Sequence, residues 1–151
     1  MSFFLEIDSV NPKKISIIDD QGNQKTYGEL VKFSVKLAKQ IKTRSIVFHF
    51  SENSVASLSF YIACIHAKAV PLLLSSQTDI SIIQTLINKY KPNYILAPEK
   101  IRHFFKGIVL NQEGDYKLIH LSNHEHQLNE KLSLLLPTSG STGSPKLVRH
   151  S

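Results

Sequence analysis

An α/β fold is predicted, a layered arrangement with a largely parallel sheet and flanking helices. Through the middle of the chain, short β-prone apolar runs alternate with stretches whose apolar residues recur at helical spacing, in the order strand, helix, strand, helix, strand. Gly, Pro and capping residues punctuate those segments where one must end and the next begin. The chain has 151 residues, 42% hydrophobic and 20% charged, which suits one domain able to bury about two-thirds of the surface its unfolded state exposes.

Ile15 to Asp19 and Gln24 to Tyr27 are β-prone segments around Gln21-Gly22-Asn23, the pattern of a hairpin turn. Thr26 followed three residues later by Glu29 makes a capping box, after which Leu30, Phe33, Leu37, Ala38 and Ile41 mark a first helix. Ile46 to Phe50 is a strand. Val55, Leu58, Ile62 and Ile65 mark a second helix, and Val70 to Leu74 the next strand. A third helix carrying Ile80, Ile83, Ile87 and Tyr90 begins near Thr78 or Asp79 and is stopped by Pro92. Asn93 to Ala97 supplies another strand. Ile108 to Leu110 and Tyr116 to Leu121, separated by Glu113-Gly114-Asp115, form a second hairpin, and the polar residues 122 to 131 an exposed loop. The alternation favours a largely parallel sheet with right-handed crossovers, and in such sheets ligand sites tend to lie beyond the carboxyl ends of the strands.

Composition excludes several classes of function. The net charge is +6, but the lysines at 13, 14, 25, 32, 36, 39 and 42 are dispersed, and no aromatic-interleaved basic stripe is present. Lys32, Lys36 and Lys39 fall on one solvated helix face, so no nucleic-acid partner is expected. Cys64 is the only cysteine, which rules out an internal disulfide, suits a reducing compartment and places an inert thiol in an apolar helical pattern. Ser2-Phe3-Phe4-Leu5 is interrupted by Glu6 and Asp8, so no signal peptide is read, and no apolar run is long enough to span a bilayer. A cytoplasmic location is expected. His120, His124 and His126 put three imidazoles within seven residues, but the spacing is not that of a helical His pair and no cysteine is near. Asn123 and Gln127 read as a solvated turn, and no metal site is expected there.

The chemistry is concentrated between Thr138 and Lys146. Nine residues, Thr138-Ser139-Gly140-Ser141-Thr142-Gly143-Ser144-Pro145-Lys146, hold five hydroxyls, two glycines and a lysine. Gly140 and Gly143 let backbone amides approach an anion, the hydroxyls add donors, and Lys146 supplies a compact positive charge, so the expected ligand is a polyphosphate. Only Ser141 and Thr142 separate the glycines, and Pro145 intervenes before the lysine, so this is not the nucleoside-triphosphatase loop. Leu132 and Leu134 to Leu136 before it, with Leu147 and Val148 after it, read as strand, loop, strand, and no helix starts here. The alternative is a flexible Ser/Gly linker, but an ordered Pro-Lys step between two apolar strands argues against it.

This loop resembles the signature of the acyl-adenylate-forming superfamily, which includes acyl-CoA synthetases, the adenylation domains of nonribosomal peptide synthetases and luciferases. Its pattern, Thr-Ser-Gly-(Ser/Thr)-Thr-Gly-x-Pro-Lys, is met at every specified position, and Val148 matches the valine that follows; Leu147 replaces the usual glycine. Thr26-Tyr27-Gly28-Glu29-Leu30 is similar to the superfamily's first segment. Ala67 to Leu72 is a looser match to its second, and Lys91 to Leu96 resembles the strand after its third helix.

The resemblance implies that residues 1–151 are the N-terminal segment of an AMP-binding domain, the N-terminal portion of its large domain, ending just after the phosphate loop. The superfamily's adenine-contacting segment with its magnesium-linked glutamate, its ribose-binding aspartate, hinge and catalytic lysine are expected in a C-terminal part. ATP with Mg2+ and a carboxylic acid would give an acyl-adenylate, whose acyl group passes to CoA or to an acyl or peptidyl carrier protein. Thr138, Ser139, Gly140, Ser141, Thr142, Gly143 and Lys146 would hold the ATP phosphates, and no catalytic residue is assigned in this segment. The segment alone is expected not to catalyse adenylation, and its apolar faces and strand edges to favour a dimer or larger assembly. A stand-alone nucleotide- or phosphate-binding module is the alternative, and the acid is left open.

Overall fold

The computed structural model describes residues 11–126, 134–137 and 147–150. The chain enters through a short antiparallel hairpin, β1 (Ile15–Ile18) and β2 (Gln24–Thr26). Asp19 ties its turn together, with Oδ1 accepting from the amides of Gln21 (3.1 Å) and Asn23 (2.9 Å). Gly22 sits at φ +86°, where a side chain would be strained.

Thr26 then caps α1 (Tyr27–Ala38) as its spacing predicts: Oγ1 accepts from the Glu29 amide at 3.1 Å, and Glu29 Oε1 accepts from the Thr26 amide at 3.0 Å. Removing the hydroxyl leaves an orphan helix amide to water. Thr26→Ala is therefore expected to lower stability by about 1 kcal/mol in urea unfolding, with Thr26→Ser retaining most of it.

Three strands and two helices follow in the expected alternation. β3 (Ile46–Ser51) leads to α2 (Val55–His66), β4 (Val70–Ser75) to α3 (Ile80–Tyr90), and β5 (Tyr94–Pro98) ends the series. Each helix begins on an oxygen: Ser54 Oγ accepts from the Ser57 amide at 3.0 Å, and Asp79 Oδ1 from the Ser81 amide at 2.9 Å. α3 closes on Lys91 in the left-handed region (φ 49°), immediately before Pro92. The proline ring disfavours helical backbone at the residue before it, and the left-handed turn lets the Lys91 amide bond back to the Ile87 carbonyl.

β6 (Ile108–Glu113) and β7 (Tyr116–His120) form the second predicted hairpin, and β8 (Leu134–Pro137) and β9 (Leu147–His150) a third. Together with β3, β4 and β5 they make one seven-stranded sheet in the order β6-β7-β5-β3-β4-β8-β9. The four central strands, β5-β3-β4-β8, are mutually parallel, and the two hairpins extend that parallel centre with antiparallel edges.

Strand order decides which helix covers which face. β4 lies on one side of β3 and β5 on the other, so two right-handed crossovers must run over opposite faces. Ile46, Phe48 and Phe50 accordingly join Ile83 and Leu86 of α3 in one core, while Val47 joins Leu37 of α1 and Phe60, Ala63 and Cys64 of α2 in another. The rings of Phe33 and Phe60 meet edge to face, 5.1 Å between centroids, where α1 packs on α2. A 3-10 turn, Glu99–Phe104, follows β5 and contributes Ile101 to the first core. Its six residues show too little periodicity to be read as an element from sequence.

At the amino ends of the strands, buried Asn93 replaces missing ladder bonds. Its Oδ1 accepts from the Ile46 amide (3.1 Å), and Nδ2 donates to the carbonyls of His124 (2.7 Å) and Ser122 (3.3 Å). The polar segment after β7, irregular and largely exposed as expected over residues 122 to 126, is thereby tied to the sheet.

Candidate functional site

The carboxyl ends of the parallel strands converge on one edge of the sheet. There the chain leaving β3 turns toward α2 on one face and the chain leaving β4 toward α3 on the other, which opens a crevice between two adjacent strands. Glu52, just past β3, joins the neighbouring strand ends: its carboxylate accepts from Lys100 Nζ after β5 (2.8 Å) and from Ser76 Oγ after β4 (3.4 Å).

β8 reaches the same edge. Leu135 pairs with Leu72 of β4 in parallel register, and β9 returns antiparallel with Pro137 opposite Leu147. The strand, loop, strand reading of the sequence therefore holds at both anchors. Thr138, Ser139, Gly140, Ser141, Thr142, Gly143 and Lys146 themselves lie outside the described residues. What the fold contributes is the position of the two anchors, Pro137 and Leu147, beside the crevice.

A cavity of about 510 Å3 opens at this edge, under β1 and against α2. His49, the fourth residue of β3, lines it at 1% exposure, with Nε2 3.2 Å from Ser57 Oγ and its ring stacked against Tyr61 at 6.2 Å between centroids. Ser57 Oγ also accepts from the Glu52 amide at 3.0 Å. His49 Nδ1 has no hydrogen-bond partner among the described residues. Burial alone pushes the imidazole down to about 4, so it is neutral at pH 7. The Tyr116 hydroxyl, on the same face, donates to the Phe50 carbonyl, and burial raises its pKa. The sequence does carry one signal for this histidine, a polar residue inside the apolar run Ile46-Val47-Phe48-His49-Phe50. Its partners Ser57 and Tyr61 become visible only when α2 packs.

The three histidines near β7 are separated in use. His120 Nε2 lies 2.9 Å from Asn123 Oδ1, His126 Nε2 donates to the Lys91 carbonyl at 3.0 Å, and the rings of His124 and His126 meet edge to face at 4.6 Å. Among the described residues no group of three or more His, Cys, Asp or Glu is arranged to hold a metal. Cys64 is fully buried, and burial pushes its thiol up to about 12, so it carries no thiolate at neutral pH.

The profile of the AMP-binding enzyme family matches residues 5–151, nearly the whole chain. The chain belongs to the AMP-binding enzyme family. No curated protein matches it in sequence. Among solved structures, this AMP-binding chain is similar to the luciferase-like enzyme of the nonluminescent mealworm Zophobas morio, at 20% identity and a TM-score of 0.72 over 99% of this chain and 41% of that one. It is similar to the O-succinylbenzoate coenzyme A synthetase of Bacillus subtilis in complex with AMP, at 16% identity and a TM-score of 0.68 over 98% of this chain and 41% of that one. It is also similar to the N-terminal subdomain of Klebsiella oxytoca NpsA in complex with 3-hydroxybenzoyl-AMSN, at 24% identity and a TM-score of 0.63 over 97% and 39%. At these identities the likeness establishes the fold, that of the N-terminal part of adenylate-forming enzymes, and the chain spans about two-fifths of the length of each. Among the described residues no helix is long and apolar enough to cross a membrane.

Proposed function

We propose that this AMP-binding chain supplies the polyphosphate-holding part of an ATP-dependent ligase that activates a carboxylic acid as its acyl-adenylate. The observation that carries the reading is the β8-β9 pairing, which puts both anchors of the Thr138 to Lys146 segment at the carboxyl edge of the parallel strands. A backbone nest with Thr138, Ser139, Ser141 and Thr142 donating, and Lys146 adding charge, is suited to the outer phosphates of ATP.

In the reaction, a carboxylate oxygen bonds to the α-phosphorus and the bond from that phosphorus to the bridging oxygen breaks. Pyrophosphate leaves with the added negative charge, which Lys146 and the donors would stabilise more than they stabilise bound ATP. A thiol, of CoA or of a carrier protein, then displaces AMP. The inert Cys64 fits a reducing compartment such as the cytoplasm.

Calorimetry with ATP and with pyrophosphate tests the reading. Lys146→Ala is expected to weaken pyrophosphate binding about tenfold or more, since one charge-assisted contact is lost. Equal affinity in the variant, or no binding to the wild-type chain, would sink the assignment. The 151-residue chain alone is expected to show no carboxylate-dependent exchange of pyrophosphate into ATP.

A further inference from the structure

The charges of the chain are sorted along the strand axis. At the amino edge of the sheet, Lys106 stands before β6, Lys91 before β5, Lys42 and Arg44 before β3 and Lys68 before β4, with Lys89 in the last turn of α3. These lysines are all exposed, and the row runs across neighbouring strands from β6 to β4, a span of about 19 Å. Among the described residues Glu125 is the only acid on this edge, 4.0 Å from Lys42. The other acids sit toward the carboxyl edge, in the β1-β2 turn, in the first turn of α1, at the start of α3, after β3 and β5, and in the β6-β7 turn. There Lys25, Lys100 and Lys117 pair with Glu113, Glu52 and Glu99.

The backbone supplies a second, independent observation. Among the described residues three other than glycine have positive φ, and each is one of these cations, just ahead of a parallel strand: Arg44 at 60°, Lys68 at 58° and Lys91 at 49°. Glycine or asparagine suits that region best, so backbone geometry alone does not select a cation three times. Cations also complement helix C-termini, but that effect is confined to the last turn, and Lys42 and Lys106 lie beyond the last turn of any α-helix.

Apolar side chains flank one end of the row, Phe104 at 42% and Ile108 at 70% exposure on either side of Lys106. The dominance of lysine over arginine narrows the partner. Protein interfaces are depleted of lysine, and nucleic-acid grooves are read through arginine forks, whereas mobile ammonium groups suit a diffuse layer of negative charge. Lysines with an aromatic and an aliphatic side chain exposed beside them match the headgroup layer of an anionic bilayer, which takes up both charge and apolar surface.

We propose that the amino edge of the sheet is a docking face for an anionic membrane surface, with the lysines toward the headgroups and Phe104 and Ile108 entering between them. The face lies at the opposite end of the strands from the crevice, so docking leaves the crevice open to the aqueous side. The proposal stands whether or not the Thr138 to Lys146 segment binds ATP.

Flotation of the 151-residue chain with vesicles of phosphatidylcholine alone, or with about 30% phosphatidylserine, tests the face. The anionic vesicles are expected to bind at least about tenfold more tightly, and raising the salt from about 0.1 M to about 0.5 M should release the chain. Lys68→Gly separates docking from folding: glycine relieves the left-handed backbone, so the urea midpoint should hold or rise while vesicle affinity falls about fivefold. Lys13→Gln, the same loss of charge at the opposite edge, where Pro12 meets the start of α1, should leave binding unchanged. Phe104→Ser should weaken binding and leave its salt dependence in place. Equal binding to neutral vesicles, binding to neither, undiminished binding by Lys68→Gly, or an equal loss in Lys13→Gln would overturn the proposal. Tighter retention on heparin than on the anionic vesicles would also overturn it, in favour of a soluble polyanion.

Discussion

Phe48→Ala is expected to lower the unfolding free energy by about 3–5 kcal/mol, the largest loss anticipated from one substitution in this chain. Phe48 is fully buried in the middle of β3, paired in register with Leu72 of β4 and Ile95 of β5, and shares its core with Ile83 and Leu86 of α3. Strands on both sides and a helix above prevent the site from collapsing around a methyl group, so the cavity term adds to the lost transfer energy. For a domain whose whole stability is about 5–15 kcal/mol, this is about a fifth or more of the total. Phe48→Leu, which keeps most of the volume, should cost about 1–2 kcal/mol. Urea midpoints at constant m value are the measurement, and a loss below about 1 kcal/mol for the alanine variant would mean that this face of the sheet is not packed as described.

The next residue along the strand carries the second large effect. His49 is neutral in the folded chain down to about pH 4, whereas the unfolded chain protonates it near its ordinary value of 6.5. Between those values the unfolded state binds a proton that the folded state refuses, so stability is whole above pH 6.5 and falls as the pH drops toward 4. The span corresponds to about 3 kcal/mol. Glu29 and Asp79, whose carboxyls are held below their ordinary values by cap hydrogen bonds, add their own losses at lower pH, so the contribution of His49 is read by difference. Urea unfolding of the wild type and of His49→Gln at pH 7, 5.5 and 4.5 should converge as the pH falls. Curves that stay parallel would show that His49 gains a proton in the folded state as readily as in the unfolded one.

These two neighbours show where reading the chain succeeds and where it stops. Thr26 with Glu29, the Asp19 to Asn23 turn, Pro92 after α3 and the apolar spacing of all three helices act over a few residues, and the elements they predict are present. The nine-residue signature between two apolar runs was likewise legible, and its anchors pair as β8 and β9, although the predicted phosphate ligands lie outside the described residues. His49 was not legible as a site residue, because its partners Ser57 and Tyr61 stand 8 and 12 positions further along, on a helix whose face is chosen by packing. Nor could Glu52 be joined to Lys100 before β5 was placed beside β3.

By itself, then, the sequence determined the elements, their caps and the chemistry of the phosphate segment, since propensity, capping and turn geometry are local and depend on spacings of four residues or fewer. The tertiary structure alone decided strand order, and with it which face each helix covers, where the crevice opens and that an imidazole ends in a cavity rimmed by carboxylates. Those features come from contacts between distant segments, which burial of apolar surface selects jointly and no local pattern records.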